Sequence, residues 1–436
     1  MSPAGNGHAT TPEACPQRLA ALRGGIVGNF VDQVHIFLPL VALAPALPRL
    51  AGPHAAAGSA TLVVMAMLLG RPVGGLVFGR ISDRFGRART TRWAIAGTAL
   101  CSLGIAATPP YTVVGVGAMW WILALRFVGG VFIAGEYSAA IPLAMEWSPA
   151  RRRGLVSGLI MAMAPLAQAT IALLTWAALR IDPDAYAAWG WRIAFLGGAI
   201  ASLGMLAFYR RQVTDREAPG IERIGLRALL VGTSACTFWQ LFGLMSGLWM
   251  MTNLVVVALP AGLGRAGFDP TQVALIAGVA AVGQAAVMAC TGHLSTLTGR
   301  RRFFAGWGVL ATLAAPPIWL ALNATGSLLS ALLAATALQA VTVCGYGPVG
   351  AYLAEGFPAG IRSTGYGTAY SLSILLPALH PFYLPQVQDT VGRRTAVVAL
   401  LVLAGVLVAW WGSRRTPATT PQPAEPLVPK EVVGAA

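Results

Sequence analysis

Charge is scarce in this sequence. Only 10% of its 436 residues are Asp, Glu, Lys or Arg, while 56% are hydrophobic. Soluble domains carry roughly 25% charged residues, so a water-soluble globular chain is excluded. Acids are scarcest, 15 against 30 basic residues, for a net charge of +15. Cysteine is rare too. The five (Cys15, Cys101, Cys236, Cys290, Cys344) are scattered, four of them in apolar runs, without CxxC spacing. That argues against a disulfide framework and against a metal site. Also missing are HExxH, GxSxG and a glycine-rich phosphate loop, so neither an enzyme nor a cofactor is expected. No cleavable leader is visible. Residues 1–17 are polar and end on a basic flank, so the first apolar span is expected to act as its own insertion signal.

Apolar runs fill what remains. A hydrocarbon core of ~30 Å needs ~20 apolar residues per crossing. The runs predict helices at 20–48, 57–81, 91–108, 116–146, 153–180, 190–211, 226–260, 270–294, 302–323, 326–353, 361–385 and 392–413. The expected fold is an all-α membrane protein of twelve transmembrane helices. It divides into an N-terminal tail (1–19), a six-helix bundle (20–211), a linker (212–225), a second six-helix bundle (226–414) and a Pro/Thr/Glu-rich disordered tail (415–436). Alternate loops hold 22 of the 30 basic residues, the asymmetry that marks cytoplasmic loops. Both termini are therefore expected in the cytoplasm. The charge reports topology rather than a nucleic-acid partner.

Two motifs recur at nearly one period. Gly79-Arg-Ile-Ser-Asp83-Arg84-Phe-Gly86-Arg87 returns as Gly292-His-Leu-Ser-Thr296-Leu-Thr-Gly299-Arg300, an offset of 292 − 79 = 213. Glu146-Trp-Ser-Pro149-Ala-Arg-Arg-Arg153 returns as Glu355-Gly-Phe-Pro358-Ala-Gly-Ile-Arg362, an offset of 355 − 146 = 209. An internal repeat follows, hence two pseudo-symmetric bundles.

The basic turn resembles the loop between the second and third helices of the major facilitator superfamily. The run Arg71-Pro72-Val-Gly74-Gly75-Leu-Val-Phe-Gly79 is similar to the metabolite:proton symporter branch, as are Arg126-Phe-Val-Gly-Gly130-Val-Phe-Ile-Ala-Gly135-Glu136-Tyr137 and Trp189-Gly-Trp-Arg192-Ile-Ala-Phe-Leu196. The first helix departs. Where the branch has GNxxEWYDF this chain has Gly28-Asn29-Phe-Val-Asp32-Gln33-Val34-His35-Ile36, which keeps one carboxylate and places His35 at the second acid. The resemblance implies proton-coupled uptake of a small organic acid or zwitterion by alternating access, in a monomer of the bacterial inner membrane. Its partners would be a small-molecule substrate, protons and the lipid bilayer.

Each buried charge costs at least ~2.5–3.5 kcal/mol on insertion scales and needs a reason. At ~1.5 Å per residue, Asp32, Arg71 and Glu136 lie at a common depth of roughly 15–16 Å. They are expected to form a proton site with His35, one turn from Asp32. Arg71 would hold one carboxylate ionised while the other loads and releases a proton; the alternative is that Arg71 only locks helices together. Arg126 has no acid on its own helix face, which suits either a substrate carboxylate or a packing partner. Helices seven to twelve carry no interior acid, so their neutral groups complete the expected substrate site: Gln240, Asn253, Gln339, Tyr346 and Tyr370. The repeated turns are expected to form a conformational latch of Gly79, Asp83, Arg84, Gly86, Arg87, Glu146, Arg153, Glu355 and Arg362. In it Asp83 caps the eleventh helix near Ser363, and Arg87 pairs with Glu146. The alternative is simple anchoring at the membrane surface. Two other functions compete: a proton-driven efflux antiporter, disfavoured by Ala164-Pro165-Leu-Ala-Gln168 where such proteins carry Gly-Pro-x-x-Gly-Gly, and a non-transporting sensor.

Overall fold

The computed structural model describes residues 14–52, 56–215, 226–324 and 326–414. Among these, all regular structure is helical, as a chain in hydrocarbon requires unless it closes a barrel. Twelve spans follow one another: α1 (Ala14–Phe37), α2 (Ala56–Phe85), α3 (Arg87–Ala106), α4 (Gly117–Trp147), α5 (Arg153–Ile181), α6 (Trp191–Gln212), α7 (Ala235–Thr252), α8 (Pro270–Thr298), α9 (Arg300–Ala324), α10 (Leu328–Val341, resumed at Val349–Glu355), α11 (Arg362–Leu372, resumed at Leu375–Ala378 and His380–Val391) and α12 (Arg393–Ser413). Ten helical stretches are long and apolar enough to cross a membrane. The two spans below that mark are α3, which opens on Arg87, Arg89 and Arg92, and α11, which is interrupted at Ser373 and Leu379.

Four of the expected uninterrupted helices are broken. α1 passes at Pro39 into a wide π turn, Leu38–Ala42, and ends in a short helix, Leu47–Ala51. α7 runs on through a π turn at Asn253–Val257. α10 tightens to a 3₁₀ turn at Val343–Tyr346, where Gly345, Gly347 and Pro348 weaken the helix. Proline and glycine remove a hydrogen bond or rigidity from the ladder, and irregular backbone is tolerated at such depth because neighbouring helices cover it. The tail expected at 1–19 is helical from Ala14 onward. Of the linker, Val213–Asp215 lies against α3 and 216–225 fall outside the described residues, as do 1–13 and the tail from 415.

Glycine fixes how the spans approach. A Cβ on Gly70 or Gly74 would strike the backbone of Phe127 or Val131, so α2 and α4 lie backbone to backbone. Between the halves the same holds twice: Gly75 and Gly79 of α2 face Gly367 and Thr364 of α11, while Gly154 and Gly158 of α5 face Gly292 and Ala289 of α8. Ser157 ties α5 to α10 as well, donating to the Gly347 carbonyl at 2.7 Å and accepting from the Ala351 amide at 3.1 Å. These seams are related by the internal repeat, and they close one end of the molecule. That end carries the arginine-rich turns and is called the basic end below.

Gly74→Val should lower thermal stability in detergent by the equivalent of about 1–3 kcal/mol, the usual cost of overpacking. Gly197→Val, where an added Cβ meets nothing within 4 Å, should leave the melting temperature unchanged. Equal melting temperatures for the two variants would contradict this packing.

Candidate functional site: a buried charged layer and its latch

At the basic end the repeated turns meet across the two halves. Asp83, at the end of α2, accepts from the Ser363 amide at 3.0 Å, the Thr364 amide at 2.8 Å and the Thr364 hydroxyl at 2.7 Å. It caps the first turn of α11, where unpaired amides and the helix dipole favour a carboxylate. Glu146 ends α4 and bridges two arginines, Arg87 of its own half and Arg362 of the other. Glu355 ends α10 and does the same. Arg300 of its own half chelates it with two 3.2 Å bonds, and Arg153 of the other half stands 3.6 Å away. Each acid thus joins both halves. The symmetry breaks at Thr296, which accepts from Arg300 at 3.2 Å where Asp83 caps a helix. Gly86, at a φ of +99°, provides the turn. Arg84 stays apart, stacked on Phe85 at 5.0 Å. Asp215 accepts from the amides of Ala88 and Arg89 at 2.6 and 3.4 Å, so the start of the linker caps α3 inside this latch.

Deeper in, Asp32 and Glu136 are 2% and 4% exposed. Their carboxyl groups lie close enough to interact directly. Arg71 makes no direct ion pair with either acid, although it lies within electrostatic reach of Asp32. Its guanidinium lies among three rings, 5.3 Å from the centroid of Tyr137, 5.2 Å from Trp249 and 5.4 Å from Tyr370. Flat delocalised cations stack well on aromatic faces, which is why arginine settles here without an acid. Nε and Nη2 have no hydrogen-bond partner. The rings brace one another: Tyr137 stacks on Tyr370 at 5.1 Å, and Trp249 meets Tyr370 and Tyr346 edge to face at 5.2 and 5.5 Å. Trp249 also donates to the Tyr370 carbonyl at 3.0 Å. Arg71 and Tyr137 come from the first half, and Trp249, Tyr346 and Tyr370 from the second.

Not all expected site residues gather here. His35 turns toward α6 and bonds Ser202 at 2.7 Å. Arg126 is 4% exposed and sits inside the first bundle, donating to the His35 carbonyl at 3.1 Å and the Met67 thioether at 2.7 Å. Gln240 lies at the basic end, where its amide donates to Tyr352, Trp411 and Arg414 at 3.1 Å. Asn253 donates to the Trp249 carbonyl on its own helix at 2.8 Å. Gln339 is buried in α10 with its carbonyl oxygen unpartnered. Three residues escaped the sequence reading. Tyr137 follows Glu136 in the motif already noted, and that position was the available signal. Trp249 had none, being one aromatic in an apolar run. Tyr209 reads as an interface residue beside Arg210 and Arg211, yet its buried hydroxyl points at Gly24 and Gly28, next to Glu136.

Two six-helix halves, related by an internal repeat and enclosing a polar layer far from either surface, define a membrane carrier. The chain belongs to the Major Facilitator Superfamily, whose model matches residues 33–261 and again 241–435. It is 27% identical over 422 residues to the inner membrane metabolite transport protein YhjE of Escherichia coli (strain K12), covering 89% of this chain and 92% of that one. It is 26% identical over 336 residues to the glycine betaine/proline/ectoine/pipecolic acid transporter OusA of Dickeya dadantii (strain 3937), covering 71% and 65%. Among solved structures, the proton:xylose symporter XylE bound to 6-bromo-6-deoxy-D-glucose shares the fold, with a TM-score of 0.68 at 19% identity over 92% of this chain and 94% of that one. The chain is therefore a membrane-embedded secondary transporter of a small molecule, not an enzyme.

The latch predicts an order of damage. Glu146→Gln leaves two arginines without their acid and should cost about 3 kcal/mol. Asp83→Asn loses charge but keeps a cap and should cost about 1 kcal/mol. Arg84→Ala should cost nothing measurable. Amide hydrogen exchange over Arg362–Leu372 reads all three, and a different order would refute the assignment.

Proposed function

We propose that this transporter couples inward proton flow to the uptake of a small carboxylate-bearing metabolite, either an organic acid or a zwitterion. The observation that carries the reading is the pairing of two buried carboxyls, Asp32 and Glu136, side by side among apolar helices. Two carboxylates so placed repel, which favours a proton on one of them. A site that holds a proton so deep in an apolar bundle has the chemistry of a coupling site. Arg71 stands within electrostatic reach of Asp32. A substrate carboxylate on Arg71 would bring a negative charge toward the acids and favour retention of the shared proton. Loading of substrate and proton would then assist each other.

Arg71, Tyr346 and Tyr370 form the proposed substrate site together with Trp249 and Tyr137, since they draw on both halves at mid-depth, where alternating access requires the site to be. The zwitterions in the OusA name and the metabolite in the YhjE name both fit a carboxylate on Arg71. In the proposed cycle the latch holds the basic end shut and must break for that end to open. The basic end faces the cytoplasm, by its excess of arginine, and so do both termini. Its state is monomeric, each copy carrying a complete site. His35 and Arg126 act from within the first bundle, adjusting α1 rather than touching substrate.

The test is uptake into proteoliposomes of labelled α-ketoglutarate, lactate, proline and glycine betaine under an imposed proton gradient. At least one should accumulate, and accumulation should collapse with a protonophore. Asp32→Asn should abolish accumulation by about tenfold or more while exchange stays measurable. Accumulation indifferent to protonophore, or untouched by Asp32→Asn, would refute proton coupling.

A further inference from the structure

Arg71 poses a physical problem that the proposed cycle does not by itself resolve. A carrier that accumulates its substrate must return empty, with its halves passing through a closed state that holds no carboxylate. The guanidinium is then buried at 2% exposure, with Nε and Nη2 unpartnered; Asp32 acts on it only from a distance and makes no ion pair with it. A buried charge without a directly paired counter-ion is destabilising. That closed state would be sparsely populated, and empty return would be slow.

We propose that Tyr137, Trp249 and Tyr370 serve as a surrogate counter-charge for Arg71 when no substrate is bound, and so permit the empty carrier to close. The rings present their electron-rich faces at 5.2–5.4 Å from the guanidinium carbon. The attraction is largest when desolvated, and all three rings are at most 9% exposed. The unpartnered Nε and Nη2 are the donors a carboxylate would use. The box is assembled from both halves. Tyr137 stands on α4 beside Glu136, while Trp249 and Tyr370 stand on α7 and α11. Separating the halves takes two of the three rings away from Arg71 and leaves only Tyr137, so most of the attraction exists in the closed state alone. It is thus a closing force specific to the unloaded protein. With a carboxylate bound the arginine has its counter-ion, and the rings matter less. This inference rests on the transport reading for its purpose, but the interaction itself is testable without any substrate.

The first experiment is a double-mutant cycle on the substrate-free protein in nanodiscs, read by amide exchange over residues 366–374. Trp249→Leu and Tyr370→Leu should each accelerate exchange about tenfold when Arg71 is present. In the Arg71→Met background the same changes should accelerate it less than about twofold, because no charge remains to be balanced. Equal acceleration in both backgrounds would mean that the rings merely pack, and would overturn the inference. The second experiment compares net uptake with exchange in proteoliposomes, using the same four labelled compounds. Trp249→Leu should lower the ratio of net uptake to exchange about tenfold, since net uptake alone requires the empty return. An unchanged ratio would also overturn it. A wild type that neither accumulates nor exchanges any of the four would count against the uptake reading, and the cycle would still decide the role of the box.

Discussion

An ionised side chain inside an apolar bundle has to be matched by something else in the protein, and the design of this chain follows from how each match is made. At the basic end the match is acid against arginine, with Glu146 and Glu355 each shared by two cations. Deeper, Asp32 and Glu136 stand side by side, with Arg71 acting on Asp32 from a distance. Arg71 is matched by rings, and Arg126 by a carbonyl and a thioether. All four deep charges belong to the first half. The second half contributes aromatic faces and irregular backbone at Val343–Tyr346 and Asn253–Val257. One bundle carries the charges, and the other supplies the neutral walls against which they close.

The repeat is obeyed at the surface and abandoned inside. Arg87 and Arg300, Glu146 and Glu355, and Arg153 and Arg362 occupy equivalent places, which gives two similar charged contacts between the halves. Thr296 in place of Asp83 makes them unequal. The α2–α11 seam has a helix cap in which a carboxylate accepts three hydrogen bonds, while the α5–α8 seam relies on glycine contacts, with Ser157 tying α5 to α10 beside it. In the proposed cycle the first seam is therefore the stronger constraint on opening. Asp215, at the start of the linker, caps α3 at the same turn.

Much of this was legible in the sequence, and for a definite reason. The latch consists of polar residues at a fixed period in an apolar chain, so Asp83, Arg87, Glu146, Arg153, Glu355 and Arg362 stand out, and opposite charges at short-loop positions have few other places to go. The twelve spans were visible because hydrocarbon permits little else. The surroundings of Arg71 were not. Cation–ring contacts have no sequence spacing when the rings come from three helices, and aromatic residues in apolar runs look alike whether they face lipid or a guanidinium. An acid was the expected partner because it is the commonest one. Gln240 misled for a related reason: its position within an apolar run says nothing about depth, and it bonds the last carbonyls of α12. The breaks in α10 and α11 were hidden because glycine and proline are frequent throughout these spans, so Gly345, Gly347 and Pro348 do not stand out in the sequence.

Proton coupling at this site requires one hydrogen atom, the proton proposed to be held by the Asp32–Glu136 pair. Infrared difference spectroscopy of the substrate-free protein near neutral pH detects it directly, through the carbonyl stretch of a protonated carboxyl group. Wild type minus the Asp32→Asn/Glu136→Gln variant should show the band of one such group. A difference spectrum without that band would mean that both acids are ionised, and proton coupling at this site would be wrong.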